Sequence, residues 1–166
     1  MTHMKLESHI VAGLVGTAIL YPILGPAQSM LFFTSSVLID SDHYLEYLRV
    51  TRGKDWSPAR MFRFYSCFTE HNSEKEVLGF SLFHTIEIFI VVYLLAKYLS
   101  SFIFIPILLG MTYHMIFDIA WLTYHGVPTV RAFSIVEYFI RKKLLLKKGI
   151  NPEDFYKKMF ELSEKK

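Results

Sequence analysis

The 166-residue sequence predicts an all-α integral membrane protein, one domain over residues 1–166. It would have four transmembrane helices, both termini in the cytoplasm, a cytoplasmic helical loop and an amphipathic helical tail. Three observations predict it. Hydrophobic residues make up 52% of the chain and aromatics 16%, more apolar surface than a water-soluble domain of this length usually carries. Apolar runs recur at a length that can cross a bilayer, which takes ~20 residues. Finally, the basic residues are concentrated in alternate connections.

The first helix is expected at about residues 8–24. Lys5 precedes the apolar run from Ile10 to Leu24, but Glu7 and His9 interrupt the basic region and no A-x-A pattern follows. The segment therefore reads as a retained membrane helix and not as a signal peptide. Gly25-Pro26 marks a tight turn. The second helix, about 28–43, is a short apolar run that reaches Ser41 and His43 only if protein shields its end. The third, about 77–96, and the fourth, about 101–124, are long enough to span unaided.

Charge sets the orientation. The loop at 46–76 carries Arg49, Arg52, Lys54, Arg60, Arg63 and Lys75, and the tail at 128–166 is richer still in Lys and Arg. Residues 25–28 carry no charge, and the connection between the third and fourth helices has only Lys97. The positive-inside rule places the loop and both termini in the cytoplasm. Within these parts Ser57-Pro58 and Asn151-Pro152 read as helix starts, and Ser73 with Glu76 as a capping box. Residues 130–146 mix Phe133, Phe139 and Ile140 with Arg141-Lys-Lys143, as a helix lying on an anionic membrane surface does. A soluble helical bundle with very apolar core helices is the alternative.

Ionisable residues interrupt the apolar segments at one depth. His9 opens the first helix, and Asp40, Asp42 and His43 close the second. His84 and Glu87 lie early in the third, and His114 and Asp118 late in the fourth. With the topology above, all fall in the cytoplasmic half. His114 and Asp118 are i and i+4, while His84 with Glu87 and Asp40 with His43 are i and i+3, so each pair shares a helix face. Any one of them has a plainer reading, such as a hydrogen bond between helices. Four segments meeting at one depth point instead to a bound metal, because buried charges in a bilayer need compensation.

His9, Asp40, His43, His84, His114 and Asp118 supply four imidazoles and two carboxylates. A catalytic zinc takes three protein ligands, so this many donors suits two divalent ions with a bridging carboxylate. Zinc comes first, with manganese or iron compatible. Asp42 and Glu87 are the spare carboxylates, to orient imidazoles or serve as general base. Arg49, Arg52, Arg60 and Arg63 are candidates for holding a substrate phosphate. His3, His71 and His125 read as surface residues, with His71 close in sequence to the third helix. The single cysteine, Cys67, excludes an intramolecular disulfide and a cysteine-rich zinc site, and a net charge of +3 gives no basis for a nucleic-acid partner.

The ordered set Ser8-His9, Ile39-Asp-Ser-Asp-His43, Phe83-His-Thr85 and His114-Met-Ile-Phe-Asp118 resembles the motifs of the membrane-bound metal-dependent hydrolases. That inner-membrane family shows a glycine-histidine, a D-I-D-H, a T-H-S and a final H-x-x-x-D in this order. The resemblance covers about residues 8–120. It implies a metal site at His9, Asp40, Asp42, His43, His84, His114 and Asp118, and a distant likeness to zinc-dependent phospholipase C. Ser8 and Thr85 depart from the family's glycine and serine, and its H-R-G stretch has no counterpart here.

The expected function is hydrolysis of a lipid phosphoester or ester by metal-activated water at the cytoplasmic face of the inner (plasma) membrane. Lipid and membrane are the implied partners, and the oligomeric state stays open. Two other classes use similar residues. A di-iron lipid oxidase or desaturase would need H-x-x-x-H and H-x-x-H-H boxes, which the sequence lacks. A metal-ion transporter would need a path through the outer halves, which offer only Tyr21, Gln28, Thr34, Ser35, Ser36 and Lys97.

Overall fold

A computed structural model describes residues 6–71 and 78–165. His3, the Ser73–Glu76 capping pattern and Val77 lie outside them. The described chain is mostly helical, in agreement with the all-α expectation.

Helix α1, Leu6–Leu38, is a hairpin of two arms. At Gly25 the backbone leaves the helical region (φ 70, ψ 177), a conformation that glycine adopts without steric cost, and Pro26 follows. The chain reverses there, so Gly13 packs against Phe33 and Ser36. A straight helix would hold Gly13 and Ser36 ~35 Å apart. The expected Gly25-Pro26 turn is therefore present. The second arm stops at Leu38, and a turn at Ile39 and Asp40 leads into helix α2, Ser41–Val50. The single helix expected at 28–43 is thus broken where its polar residues begin.

Helix α3, Pro58–His71, starts as the sequence indicates, with Ser57 Oγ accepting from the Arg60 amide at 3.4 Å. The third membrane helix was expected from residue 77, and here the structure differs. Gly79–Phe80 forms a short strand, β1, and Leu82–His84 a single 3-10 turn; helix α4 spans only Ile86–Tyr98. Strand β1 pairs in parallel with β2, Arg131–Ala132, and Leu78 and Ala132 are buried with Tyr138 beneath the pair. An apolar run by itself does not separate strand from helix, and here the ladder and the packing of Leu78 decide for the extended form. Helix α5, Ser101–Tyr124, matches the expected fourth helix. Helix α6, Ile135–Lys147, is capped by Ser134, and helix α7, Pro152–Glu164, by Asn151, whose side chain accepts from the Glu153 amide.

Helix α5 packs against the α1 hairpin through small residues. A Cβ on Gly16 would come within 2.8 Å of the Tyr113 ring, and one on Gly110 would collide with Ser35 Oγ and the Phe32 carbonyl. Glycine lets the backbones approach, as in tightly packed membrane helices. The outer faces are apolar and open: Val11, Ile19, Ile23, Leu99, Phe102 and Ile116 are 59–79% exposed. Two stretches, Glu7–Val50 and Ser101–Tyr124, are long and apolar enough to cross a membrane by length and composition. Helix α4, with 13 residues, extends ~20 Å, short of an apolar bilayer core of ~30 Å.

The other end is a packed cap. Tyr47, Phe64, Cys67, Phe68, Phe155, Tyr156 and Met159 of α2, α3 and α7 form its core, joined by Leu122 at the end of α5. Buried Glu46 accepts from Tyr65 Oη at 3.0 Å, Tyr156 Oη at 2.8 Å and the Phe80 amide at 3.3 Å. Burial beside this carboxylate raises both phenol pKa values well above 10, so both remain proton donors. One carboxylate thereby fastens α2, α3, β1 and α7 over the hairpin mouth.

Candidate metal centre

The site forms where hairpin, α5 and cap meet. Helix α5 carries His114 on a face turned to the second arm of α1. Its Nδ1 lies 2.8 Å from the Ser36 carbonyl, one of the last-turn carbonyls that a helix leaves without an internal partner. His84 comes from the 3-10 turn, and its Nδ1 lies 3.0 Å from Asp42 Oδ2. In both rings the Nδ1 partner is an acceptor, so Nδ1 is assigned the proton and Nε2 the lone pair. The two Nε2 atoms face each other at 3.3 Å.

Two carboxylates complete this arrangement. Asp40 Oδ1 is 3.4 Å from Nε2 of both His84 and His114, and Asp118 Oδ2 is 3.7 Å from both. The donor atoms of the four residues all lie within 4.8 Å of one another. Zinc–ligand bonds of 2.0–2.1 Å in a tetrahedron place donor atoms about 3.3 Å apart. The observed spacings are close to that, and imidazole nitrogens with carboxylate oxygens are a donor set that zinc takes. Asp40, His84, His114 and Asp118 therefore fit a metal ion in spacing and in chemistry.

The remaining predicted ligands surround this group. His9 Nε2 lies 3.5 Å from Asp118 Oδ1 and 3.7 Å from Asp40 Oδ2, with its ring stacked on that of His114 at 4.2 Å. His43 Nε2 lies 3.5 Å from Asp40 Oδ1. The six expected ligands are thus brought together. His43 is the most open of the imidazoles, its side chain 18% exposed against none for His84 and His114. A cleft lined by His9, Gly13, Ser36, Tyr113 and His114 has no room for a water molecule, and His43 and Asp40 are the members of the group most exposed to solvent.

The other predictions fare differently. Asp42 is engaged behind the cluster, its Oδ2 accepting from His84 Nδ1 and, at 2.9 Å, from the Phe83 amide. A carboxylate holding the distal nitrogen of a ligating imidazole orients it and raises its basicity. Glu87 is expected to share a face with His84, but His84 lies outside the helix and the two do not face one way. Glu87 Oε1 instead accepts from Ser134 Oγ at 2.6 Å and the Ile135 amide at 3.0 Å, tying α4 to the start of α6. Arg49 pairs with Glu153 at 3.0 Å and Arg60 with Asp55 at 3.2 Å, while Arg52 and Arg63 are exposed. His71 and His125 each bond through Nδ1 to a carbonyl one turn back, on Cys67 and Trp121.

In the sequence Arg131 is one of the basic residues of the tail at 128–166. It is 3% exposed and lies on β2, with its NH1 2.7 Å from Asp118 Oδ2. Burial works against its charge, but Asp118, with Asp40 and Asp42 beyond it, more than offsets this and raises its pKa above the usual value. The sequence signal is its setting: Arg131 is a lone charge between Val130 and Ala132-Phe133. Against the aspartates 40, 42 and 118 it supplies a single positive charge.

Comparison with known protein families, characterised proteins and solved structures finds no match to this chain.

Proposed function

We propose that the chain is a membrane-embedded, metal-dependent hydrolase that cleaves a lipid phosphoester or ester at the cytoplasmic face of the inner membrane. The observation that carries this reading is the approach of His84 and His114 Nε2 to 3.3 Å between two carboxylates, at the end of helices whose outer faces are apolar. The ordered motifs that resemble the membrane-bound metal-dependent hydrolases support it. In this reading both arms of α1, with α4 and α5, are embedded, the cap faces the cytoplasm, and the short α4 is completed by the segment at its start.

Asp40, His84, His114 and Asp118 hold the ion, with zinc the first candidate for a mixed imidazole and carboxylate set. When bound, a divalent ion supplies Lewis acidity and acidifies a coordinated water. Asp42 fixes the tautomer and direction of His84, and Arg131 fixes Asp118. His43 Nε2, on the open rim, is placed to take a proton and pass it to solvent.

The test is turnover by purified protein in lipid nanodiscs, metal-stripped and then reloaded with zinc, over a panel of phospholipids, phosphatidic acid and neutral lipid esters. The expected result is hydrolysis that returns with zinc and is absent in His114→Ala. Metal-loaded wild type that cleaves nothing in the panel overturns the hydrolase reading.

A further inference from the structure

The exposed apolar surface does not end with the α1 hairpin. Met30, Thr34 and Leu38 form one exposed stripe on its second arm, and Ser41 and Leu45 continue that stripe on α2. The spacing holds across the break because Asp40 keeps a near-helical backbone (φ −71, ψ −4). Tyr44 Oη donates to the Trp56 carbonyl at 2.7 Å, which seats the connection between α2 and α3 against α2. Phe62 lies one turn before Tyr65 on α3, and the Tyr65 ring stands 5.0 Å from that of His43. Met30, Leu38, Leu45, Trp56 and Phe62 are 50–72% exposed, with Arg52, Lys54 and Arg63 exposed alongside. The far side of the cap is different. There the exposed residues of α7 are Asp154, Lys157, Lys158, Glu161 and Glu164, all charged.

Length points to what covers the apolar edge. Gln28 Nε2 donates to the Phe102 carbonyl at 3.2 Å, so the hairpin turn and the start of α5 stand at one level. From Pro26 to Leu38 the second arm rises only ~18 Å, against an apolar bilayer core of ~30 Å. Carried on through α2 it reaches ~28 Å at Leu45. Arg49, the first exposed charge on this path, comes at ~35 Å. We infer that α2 completes the crossing of the second arm, with Leu45, Trp56 and Phe62 in lipid at the cytoplasmic boundary. Trp56 then takes the interfacial place that tryptophans favour, and Arg52, Lys54 and Arg63 meet anionic headgroups. The inference rests on the membrane reading above and goes further, because it says which edge of the cap touches the bilayer. The His43 side of the site then opens onto the leaflet, a route for a lipid that never leaves the membrane.

Tryptophan provides the probe, since the chain has two, Trp56 and Trp121. Full-length protein is placed in nanodiscs of phosphatidylcholine and phosphatidylglycerol, and its fluorescence is quenched by lipids brominated on their acyl chains or by aqueous iodide. The difference between wild type and Trp56→Phe isolates Trp56. The expected result is loss of most Trp56 emission to brominated lipid, more when phosphatidylglycerol carries the bromine, and little loss to iodide. Leu45→Trp, made on Trp56→Phe, should behave alike, while Lys157→Trp on that variant should show the reverse. Quenching of Trp56 by iodide and not by lipid overturns the inference and leaves the membrane reading standing. Shielding from both reagents also overturns it, because another protein surface, such as a second copy, would then cover the edge. Equal quenching by either brominated lipid overturns the part given to the three cations. Protein that stays in solution without lipid or detergent overturns the membrane reading itself. Should Trp56→Phe fail to fold, Leu45→Trp and Lys157→Trp on the wild-type chain decide, each read against wild type.

Discussion

Asp42 Oδ2 sits 3.0 Å from His84 Nδ1 and also accepts the Phe83 amide at 2.9 Å. One oxygen thus sets both the tautomer of the ligand and the 3-10 turn that carries it. Sequence spacing leaves Asp42 open as a ligand or a base, and the structure places its Oδ2 on the far ring nitrogen of His84. Asp42→Asn is expected to weaken metal binding 10–100-fold, the usual effect of losing such a partner, while stoichiometry at saturating metal stays as in wild type. Competition against a zinc-binding dye measures this. Loss of an equivalent of metal would instead make Asp42 a ligand.

Arg131 and Asp118 are buried together, and removing one partner of such a pair costs about 3–5 kcal/mol. Arg131→Met is expected to lower the unfolding temperature sharply in metal-free protein. Added zinc should restore part of the loss, because the ion supplies the positive charge that Asp118 then lacks. Thermal unfolding of both forms with and without zinc checks this; an equal loss in either condition would detach Arg131 from the site.

Gly110 permits the closest approach of α5 to the second arm of α1. A methyl group there meets the Phe32 carbonyl, which is backbone and cannot rotate away. Gly110→Ala is expected to cost about 1–3 kcal/mol through overpacking. It should weaken metal binding as well, since His114 lies one turn further along the same helix. A stability loss with unchanged metal affinity would show that helix spacing does not set the site.

Glu153 bridges Arg49 of α2 and Lys142 of α6, at 3.0 and 2.8 Å. Burial raises its pKa, but the two cations outweigh that and hold it below the usual value for a glutamate. A depressed carboxylate contributes stability that is present above its unfolded pKa of about 4.3 and fades as pH falls through the folded value. The partly exposed setting keeps that contribution below ~1 kcal/mol. Comparing wild type with Glu153→Gln, the difference in unfolding temperature should be present at about pH 7 and shrink as pH falls below the unfolded value of about 4.3. A difference independent of pH would mean that packing, and not charge, docks α7.

Much of this centre is legible in the sequence. The i, i+4 spacing of His114 and Asp118 needs only a helix, and α5 has the expected bounds. The Gly25-Pro26 turn and the apolar runs then bring His9 and Asp40 to the same end. What was not legible is long-range pairing. Nothing local says that Gly79-Phe80 pairs with Arg131-Ala132, yet that ladder takes His84 out of a helix, turns Glu87 toward Ser134 and brings Arg131 to Asp118. Composition favoured the loop arginines as phosphate holders, but Arg49 and Arg60 are taken up by Glu153 and Asp55.

The most direct test of the central claim is the metal content of purified full-length protein after exposure to zinc, measured beside the His84→Ala/His114→Ala double variant. The account predicts at least one zinc retained per wild-type chain and none by the double variant. Folded wild-type protein that retains no stoichiometric metal would contradict it.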